Sequence, residues 1–297
     1  MPLDMSFGPE VKSALPVGQL VRVSTASGSR ARGPRGSREA VLRITMVGHS
    51  TVLIEVAGMR ILTDPYFGSW GNPAYARREP PAATREALRD VDLVLLSHNH
   101  WDHRDDRFFR LLPARTPVLA PARSTWLTRI HGGRSVIGMT AWQQRPVGAL
   151  TITAVPAVHM AATIGFVIQG GERTAYFAGD TYHTRLMARV GDQLRPDVAL
   201  IPVTTYRIPM TMGEKGALRA VRDLRPAVVI PIHLGLEPRL PWLRTGDSAE
   251  GFARRVREAG LPTRVAVLRP GQAWRAEPVP PTADASEDAR QPALVAD

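Results

Sequence analysis

Short, almost uninterrupted apolar runs recur through the middle of the chain, and each stops abruptly at polar residues. Val91-Asp92-Leu93-Val94-Leu95-Leu96 has the length and residue types of a strand buried on both faces. It gives way at once to Ser97-His98-Asn99-His100-Trp101-Asp102-His103. The same pattern predicts strands over 41–47 and 51–56, joined by Gly48-His49-Ser50, and a third over 61–63 that follows a turn at 57–60 and ends in Asp64-Pro65. Further strands are expected over 116–120, 150–155, 197–203, 227–232 and 263–268, with 164–168 and 174–178 paired as a hairpin. Helical spacing falls over 84–88, 105–112, 124–130, 213–224 and 248–259. The elements divide into two βαβα-like halves without a short-period repeat, which sets the class as α/β (α+β).

The ends behave differently. Residues 1–40 carry no periodicity and contain the breaker run Gly33-Pro34-Arg35-Gly36-Ser37, so a flexible basic leader is expected there. A disordered Pro/Ala/Asp-rich tail is expected over 276–297, leaving 41–275 as the folded domain. A hydrophobic content of 44% is ample for a core in a chain of 297 residues. No stretch has the apolar length of a membrane span and the first residues carry no signal core, so a cytoplasmic location is expected.

Net charge is +11, with arginines at 22, 30, 32, 35, 38 and 43 and again at Arg254, Arg255 and Arg257. The first group falls mainly in the leader and the second on a helix face, so solvated surface explains the charge as well as a polyanionic partner does. The absence of cysteine changes the picture more. Any metal in this protein is held by nitrogen and oxygen alone.

Four residues able to bind a metal, His98, His100, Asp102 and His103, occupy six consecutive positions just past a buried strand. Packing them together without a cation is costly, and imidazole and carboxylate are ligands that zinc accepts. His98 and His100 suit one ion, Asp102 and His103 a second. His159, Asp180 and His233 also stand just beyond apolar strands, where α/β sheets build their sites. Asp64, at the end of another strand, is suited to orienting a ligand histidine, with an ordinary Asp-Pro turn as the alternative.

The run His98 to His103, with His159, the Gly179-Asp180-Thr181 aspartate and His233, resembles the metallo-β-lactamase superfamily over about Leu42 to Trp274. Gly48-His49-Ser50-Thr51, Leu62-Thr63-Asp64-Pro65 and Met210-Thr211-Met212-Gly213 are similar to the branch containing ascorbate-6-phosphate lactonase and N-acyl-phosphatidylethanolamine phospholipase D. The resemblance implies a four-layer αββα sandwich with the metals at one edge between the sheets. It implies two divalent ions, zinc first, with manganese or iron as alternatives. One would take His98, His100 and His159, the other Asp102, His103 and His233, and Asp180 would bridge. A hydroxide generated between such ions hydrolyses a lactone, an ester or a phosphodiester, so the centre does not select the substrate. A small or lipid-like substrate is expected. A nuclease of the same superfamily is the rival reading, favoured by charge but weakened by an Asp180 to His233 interval too short for a domain-sized clamping insertion. A di-iron oxygen-reducing protein and a binding module that has lost its metal are further rivals; neither suits the complete histidine set. Oligomeric state is not indicated.

Beyond the ligands, Asp102 also counts as catalytic, His183 is a candidate leaving-group acid, and Tyr206 is a candidate donor to a developing oxyanion. Helix-start histidine and packed tyrosine are the structural alternatives. Arg77 and Arg78 could hold a phosphate at the rim or be ordinary surface arginines, and Trp70 and Tyr75 suit an apolar wall. His49 is a weaker candidate lining residue, and His131 reads as a helix end.

Overall fold

The computed structural model describes residues 41–68 and 72–277. The expected leader, Trp70 and the tail from 278 onward lie outside the described residues. Ala276, assigned to the tail by sequence, is instead buried and donates its N–H to the Leu42 carbonyl at 2.9 Å.

In chain order the strands of the first half are β1 (Arg43–Gly48), β2 (Thr51–Val56), β3 (Met59–Thr63), β4 (Tyr75–Arg77), β5 (Leu93–Leu95), β6 (Pro117–Pro121) and β7 (Ser135–Met139). The second half supplies β8 (Gln144–Val147), β9 (Leu150–Pro156), β10 (Ile164–Gly170), β11 (Arg173–Phe177), β12 (Val198–Pro202), β13 (Val228–Ile232), β14 (Leu236–Pro238), β15 (Arg264–Val265) and β16 (Ala273–Arg275). Helices are α1 (Arg85–Leu88), α2 (Asp106–Leu111), α3 (Thr125–Ile130), α4 (Leu186–Leu194), α5 (Gly213–Leu224) and α6 (Ala249–Glu258).

Two seven-stranded sheets form, in the orders β16-β1-β2-β3-β5-β6-β7 and β15-β13-β12-β11-β10-β9-β8. Their inner faces meet in one core, to which Ile44, Ile54, Leu93 and Leu95 come from the first sheet and Phe166, Phe177, Leu200 and Ile230 from the second. The alternate residues Val94 and Leu96 point the other way, under α1 and α2, against Leu88, Phe108 and Phe109. Tyr176, Ala199 and Val229 likewise face Met187, Ala217 and Phe252 of α4, α5 and α6. Burial on both faces is why these strands read as apolar at every position. The result is the αββα layering, and each fully buried Leu or Phe contributes about 1.5–3 kcal/mol.

Several elements were not legible. The turn expected over 57–60 is only Ala57-Gly58, both at positive φ (48° and 73°), so Val56 pairs directly with Met59 in a two-residue hairpin. Helix α4 has Gly191 inside it, which argues against a helix in sequence terms. That glycine sits where α4 meets α5, and a Cβ there would lie 2.4 Å from the Asp223 carbonyl oxygen. Strands β8 and β16 are short, partly exposed edge strands without alternation, and β4 and β14 pair only with each other. The strand expected over 263–268 is ladder only at Arg264–Val265.

Strands β1, β3 and β5 run the same way, as do β9, β11, β12 and β13. Their carboxyl ends converge at one rim of the sandwich. Among the described residues, backbone hydrogen bonds join the sheets there from Ile164 N–H to the Ser97 carbonyl at 3.1 Å and from His233 N–H to the His49 carbonyl at 3.2 Å.

Candidate metal centre

The segment after β5 leaves the ladder and is pinned to its surroundings by side chains rather than by strand pairing. Asn99 donates to the Ser124 carbonyl and hydroxyl at 3.3 and 3.1 Å and accepts from the Thr128 hydroxyl at 3.1 Å. Asp105 caps α2 through the Phe108 N–H and takes a bidentate ion pair from Arg85 at 2.8 and 2.6 Å. The loop is thus held at both ends.

Between these anchors the imidazoles gather. His98 and His100 have ring centroids 4.5 Å apart, and His159, delivered by β9, lies 5.0 and 4.8 Å from them. His103 is 4.2 Å from His98 and 5.9 Å from His233, which follows β13. Asp180 stands between the groups: its Oδ2 is 3.3 Å from His103 Nε2, 3.2 Å from His233 Nε2 and 4.0 Å from His159 Nε2. Gly179 makes that position possible, since at φ 59° it carries no Cβ, and one would lie 2.3 Å from Ser97 Cβ. All seven residues that sequence assigned as ligands therefore converge, in the two expected groups with Asp180 between them.

The partners of these rings fix which nitrogen carries hydrogen. Asp64, fully buried, accepts from Ser97 N–H at 2.7 Å, from Ser97 Oγ–H at 2.6 Å and from His103 Nδ1 at 2.6 Å. With its hydrogen committed to Asp64, Ser97 Oγ accepts from His98 Nδ1 at 2.9 Å. The Thr204 hydroxyl donates to the His233 carbonyl and stands 3.3 Å from His233 Nδ1. Asp64 thus orients two histidines at once, as a residue behind metal ligands does. With their Nδ1 atoms engaged, His98, His103 and His233 have Nε2 left for the centre.

Among the described residues, His98 Nε2, His103 Nε2, His159 Nδ1, His49 Nε2 and Asp180 Oδ1 are buried without a hydrogen-bond partner. An orphaned buried polar atom costs about 1–3 kcal/mol, and so many at one point is a strong departure from normal satisfaction. Burial opposes charge on His103, yet the carboxylates of Asp180, Asp102 and Asp64 hold its pKa well above the usual range. Burial also raises Asp180, but His103 and His233 outweigh it and keep that carboxyl ionised. Burial, followed by the neighbouring His103, pushes His98 well down. The field at the centre calls for positive charge, and nitrogen and oxygen donors with no thiolate fit a borderline divalent ion.

Other sequence assignments fare differently. His183 is not among these rings; its Nε2 faces Asp223 Oδ2 on α5 at 2.7 Å, so the candidate acid is engaged with the outer helix layer. Tyr206 lies beside the centre, 6.4 Å from the His233 ring, and its hydroxyl donates to the Leu236 carbonyl at 3.2 Å. Burial, then Asp102, pushes its pKa up, which keeps it a donor. Tyr75 stacks near Trp101 and Tyr206 at 5.5 and 5.4 Å and does form an aromatic wall. Arg77 donates through Nε and Nη2 to the Gly68 and Tyr66 carbonyls and also borders the cavity beside His49, whereas Arg78 is paired with Glu237 at the surface. His131 ends α3 and pairs with Asp106 at 2.7 Å.

Sequence reasoning undervalued His49. Its Nε2 is 3.4 Å from Asp102 Oδ2, and its ring is 4.4 Å from His233 and 5.3 Å from His103. Its place at a strand end, like that of the ligands, was the available signal. A cavity of about 350 Å³ adjoins it, bounded also by Thr204, Tyr206, Leu236 and Arg244.

A two-sheet αββα sandwich with histidines and aspartates gathered where the sheet ends meet is a metallo-β-lactamase fold. Residues 59–234 match the family model described as "Beta-lactamase superfamily domain". Among curated proteins the chain is similar to a UPF0173 metal-dependent hydrolase of Methanopyrus kandleri, 31% identical over 78% of this chain and 99% of that protein. A UPF0173 metal-dependent hydrolase of Aeropyrum pernix is 34% identical over 78% and 96%. The solved structure of Igni18, described as a novel metallo hydrolase from Ignicoccus hospitalis, superposes with a TM-score of 0.65 at 29% identity, covering 80% of this chain and 99% of that one. The chain belongs to the metallo-β-lactamase superfamily, within the family of the UPF0173 metal-dependent hydrolases.

Proposed function

We propose that this protein is a metal-dependent hydrolase that uses two divalent ions to cleave an ester, lactone or phosphodiester bond in a small or lipid-like substrate. The observation that supports this most directly is the concentration of buried ligand-type atoms without a hydrogen-bond partner at one point, His98 Nε2, His103 Nε2, His159 Nδ1 and Asp180 Oδ1. His98, His100 and His159 would hold one ion, Asp102, His103 and His233 the other, and Asp180 would serve both. Zinc suits the donors best; manganese and iron accept similar sets. When bound, such ions supply Lewis acidity and acidify water into the neutral range.

The chain's own residues do the rest. Asp64, Ser97 and Thr204 engage the Nδ1 atoms of His103, His98 and His233 and so aim their Nε2 atoms at the centre. Tyr206, kept protonated by its raised pKa, stands beside His233 and would donate to a developing oxyanion by exchanging its present acceptor, the Leu236 carbonyl. Tyr66, Tyr75 and Trp101 form an aromatic wall on one side. The cavity beside His49 has the volume of a small-molecule site, and Leu234, Leu236 and Leu268 give it apolar surface.

The test is metal analysis of the purified protein joined to a hydrolysis screen on bis-p-nitrophenyl phosphate and a series of lactones, before and after chelation. About two ions per chain with chelator-sensitive turnover is the expected result, and the preferred compound separates lactonase from phosphodiesterase. Turnover that survives complete metal removal would overturn the proposal.

A further inference from the structure

We propose that His49 is a further protein ligand of the second ion, joining Asp102, His103 and His233. The inference rests on the dinuclear reading of the site and assigns within it a residue from outside the ligand run.

His49 follows β1 directly after Gly48 and takes a left-handed conformation at φ 61°; His233 does the same at φ 63°. The His233 N–H donates to the His49 carbonyl, so the two turns, one from each sheet, are locked face to face. The His49 ring is fully buried. Its Nδ1 lies 3.2 Å from the Leu234 carbonyl oxygen, which can only accept, so Nδ1 carries the hydrogen and Nε2 keeps a lone pair.

That lone pair has no hydrogen-bond partner and faces Asp102 Oδ2 at 3.4 Å. Two acceptors turned toward each other in a buried site repel unless a cation lies between them. Ligand atoms of His49, Asp102, His103 and His233 all lie within 4.8 Å of one another. Bonds of about 2.1 Å in a tetrahedral arrangement put neighbouring ligand atoms about 3.4 Å apart. The His49 to Asp102 separation matches that edge, and the 3.9 Å from Asp102 Oδ2 to His103 Nε2 suits a slightly wider one.

A consequence is asymmetry. With Asp180 shared, the second position would have five protein donors and the first only four, so an exchangeable group has more room at the first. Closed sets are typical of structural ions and open ones of catalytic ions.

The experiment uses the full chain with His49→Gly and His49→Asn, both tolerant of positive φ. Cobalt(II) is added stepwise to metal-free protein in competition with a chelator, and the visible spectrum of each equivalent is recorded. For parental protein two equivalents bind. In both variants the first equivalent should bind as before, the second at least tenfold more weakly and with altered band positions and intensity. Imidazole added to His49→Gly should restore the parental spectrum. A variant spectrum identical to the parent overturns the proposal, whether affinity is kept or lost, since affinity loss alone would mean that His49 positions Asp102 without touching the ion. Parental protein that binds no cobalt would instead overturn the dinuclear reading, and this inference with it. Thermal melts of the metal-free variants confirm that each is folded.

Discussion

Replacing Asp64 by Asn separates the shape of the site from its protonation pattern. Asn fits the same buried volume and tolerates the φ of 33° found at this position. Its one oxygen can keep the Ser97 N–H bond of 2.7 Å, which leaves an NH2 where Oδ2 receives Ser97 Oγ and His103 Nδ1, each at 2.6 Å. A donor then faces a donor. His103 relieves the conflict by moving its hydrogen to Nε2, which removes the lone pair aimed at the centre, and Ser97 loses the acceptor that fixed His98. Loss of such supporting partners costs about 10- to 100-fold in metal affinity, or about 1.4–2.7 kcal/mol, and here two ligands depend on one carboxylate. The upper end is therefore expected. Chelator competition with zinc, read by a fluorescent indicator, measures it, and Asp64→Glu should not rescue because its longer side chain cannot fit the same pair of bonds. Parental affinity for both ions in Asp64→Asn would refute the argument that Asp64 sets the tautomers.

Other expectations follow from the same geometry. Gly179→Ala should destabilise the fold by at least about 2 kcal/mol in urea unfolding, from the clash with Ser97 and the positive φ together, and should also lower metal content. Arg85→Ala removes a bidentate charge-assisted pair to Asp105, whose side chain is only 6% exposed, and should cost about 1–3 kcal/mol by the same assay. Metal affinity should rise with pH: the carboxylates around His103 hold its proton above the usual range, so an entering ion must displace it, and titration should show about a tenfold gain per pH unit until that proton is gone. His183→Asn should leave kcat within a few-fold of the parent and chiefly lower stability through the lost Asp223 contact; a hundredfold fall in kcat would restore His183 as the acid.

The parts legible in sequence are those where one residue's type is decided by its immediate neighbours. Strand β5 reads as apolar at every position because both of its faces are covered, and helix α5 has the bounds its spacing predicts. The seven candidate ligands are visible because each stands just beyond such a strand, and Asp64 because a carboxylate there needs partners. The rest depends on encounters between distant segments. Gly191 reads as a break until α5 is seen packed against it. His49 looks like one residue of a tight turn until β13 brings His233 to its carbonyl from 184 positions away. His183 has a plausible spacing from Asp180, but its direction was set by Asp223 on a later helix.

The seam between the sheets would give ions bound there a mechanical role. His98, His100, Asp102 and His103 belong to the first half of the chain, His159, Asp180 and His233 to the second, and among the described residues the backbone hydrogen bonds from Ile164 to Ser97 and from His233 to His49 tie the halves at this rim, beside the β4–β14 and β1–β16 pairings. Ions held by residues of both halves would act as a reversible crosslink, favouring the closed sandwich by the free energy of their own binding. A chain severed between β7 and β8 should then reassemble from its two fragments far more readily with zinc than without it, making the cut protein a switch thrown by metal supply.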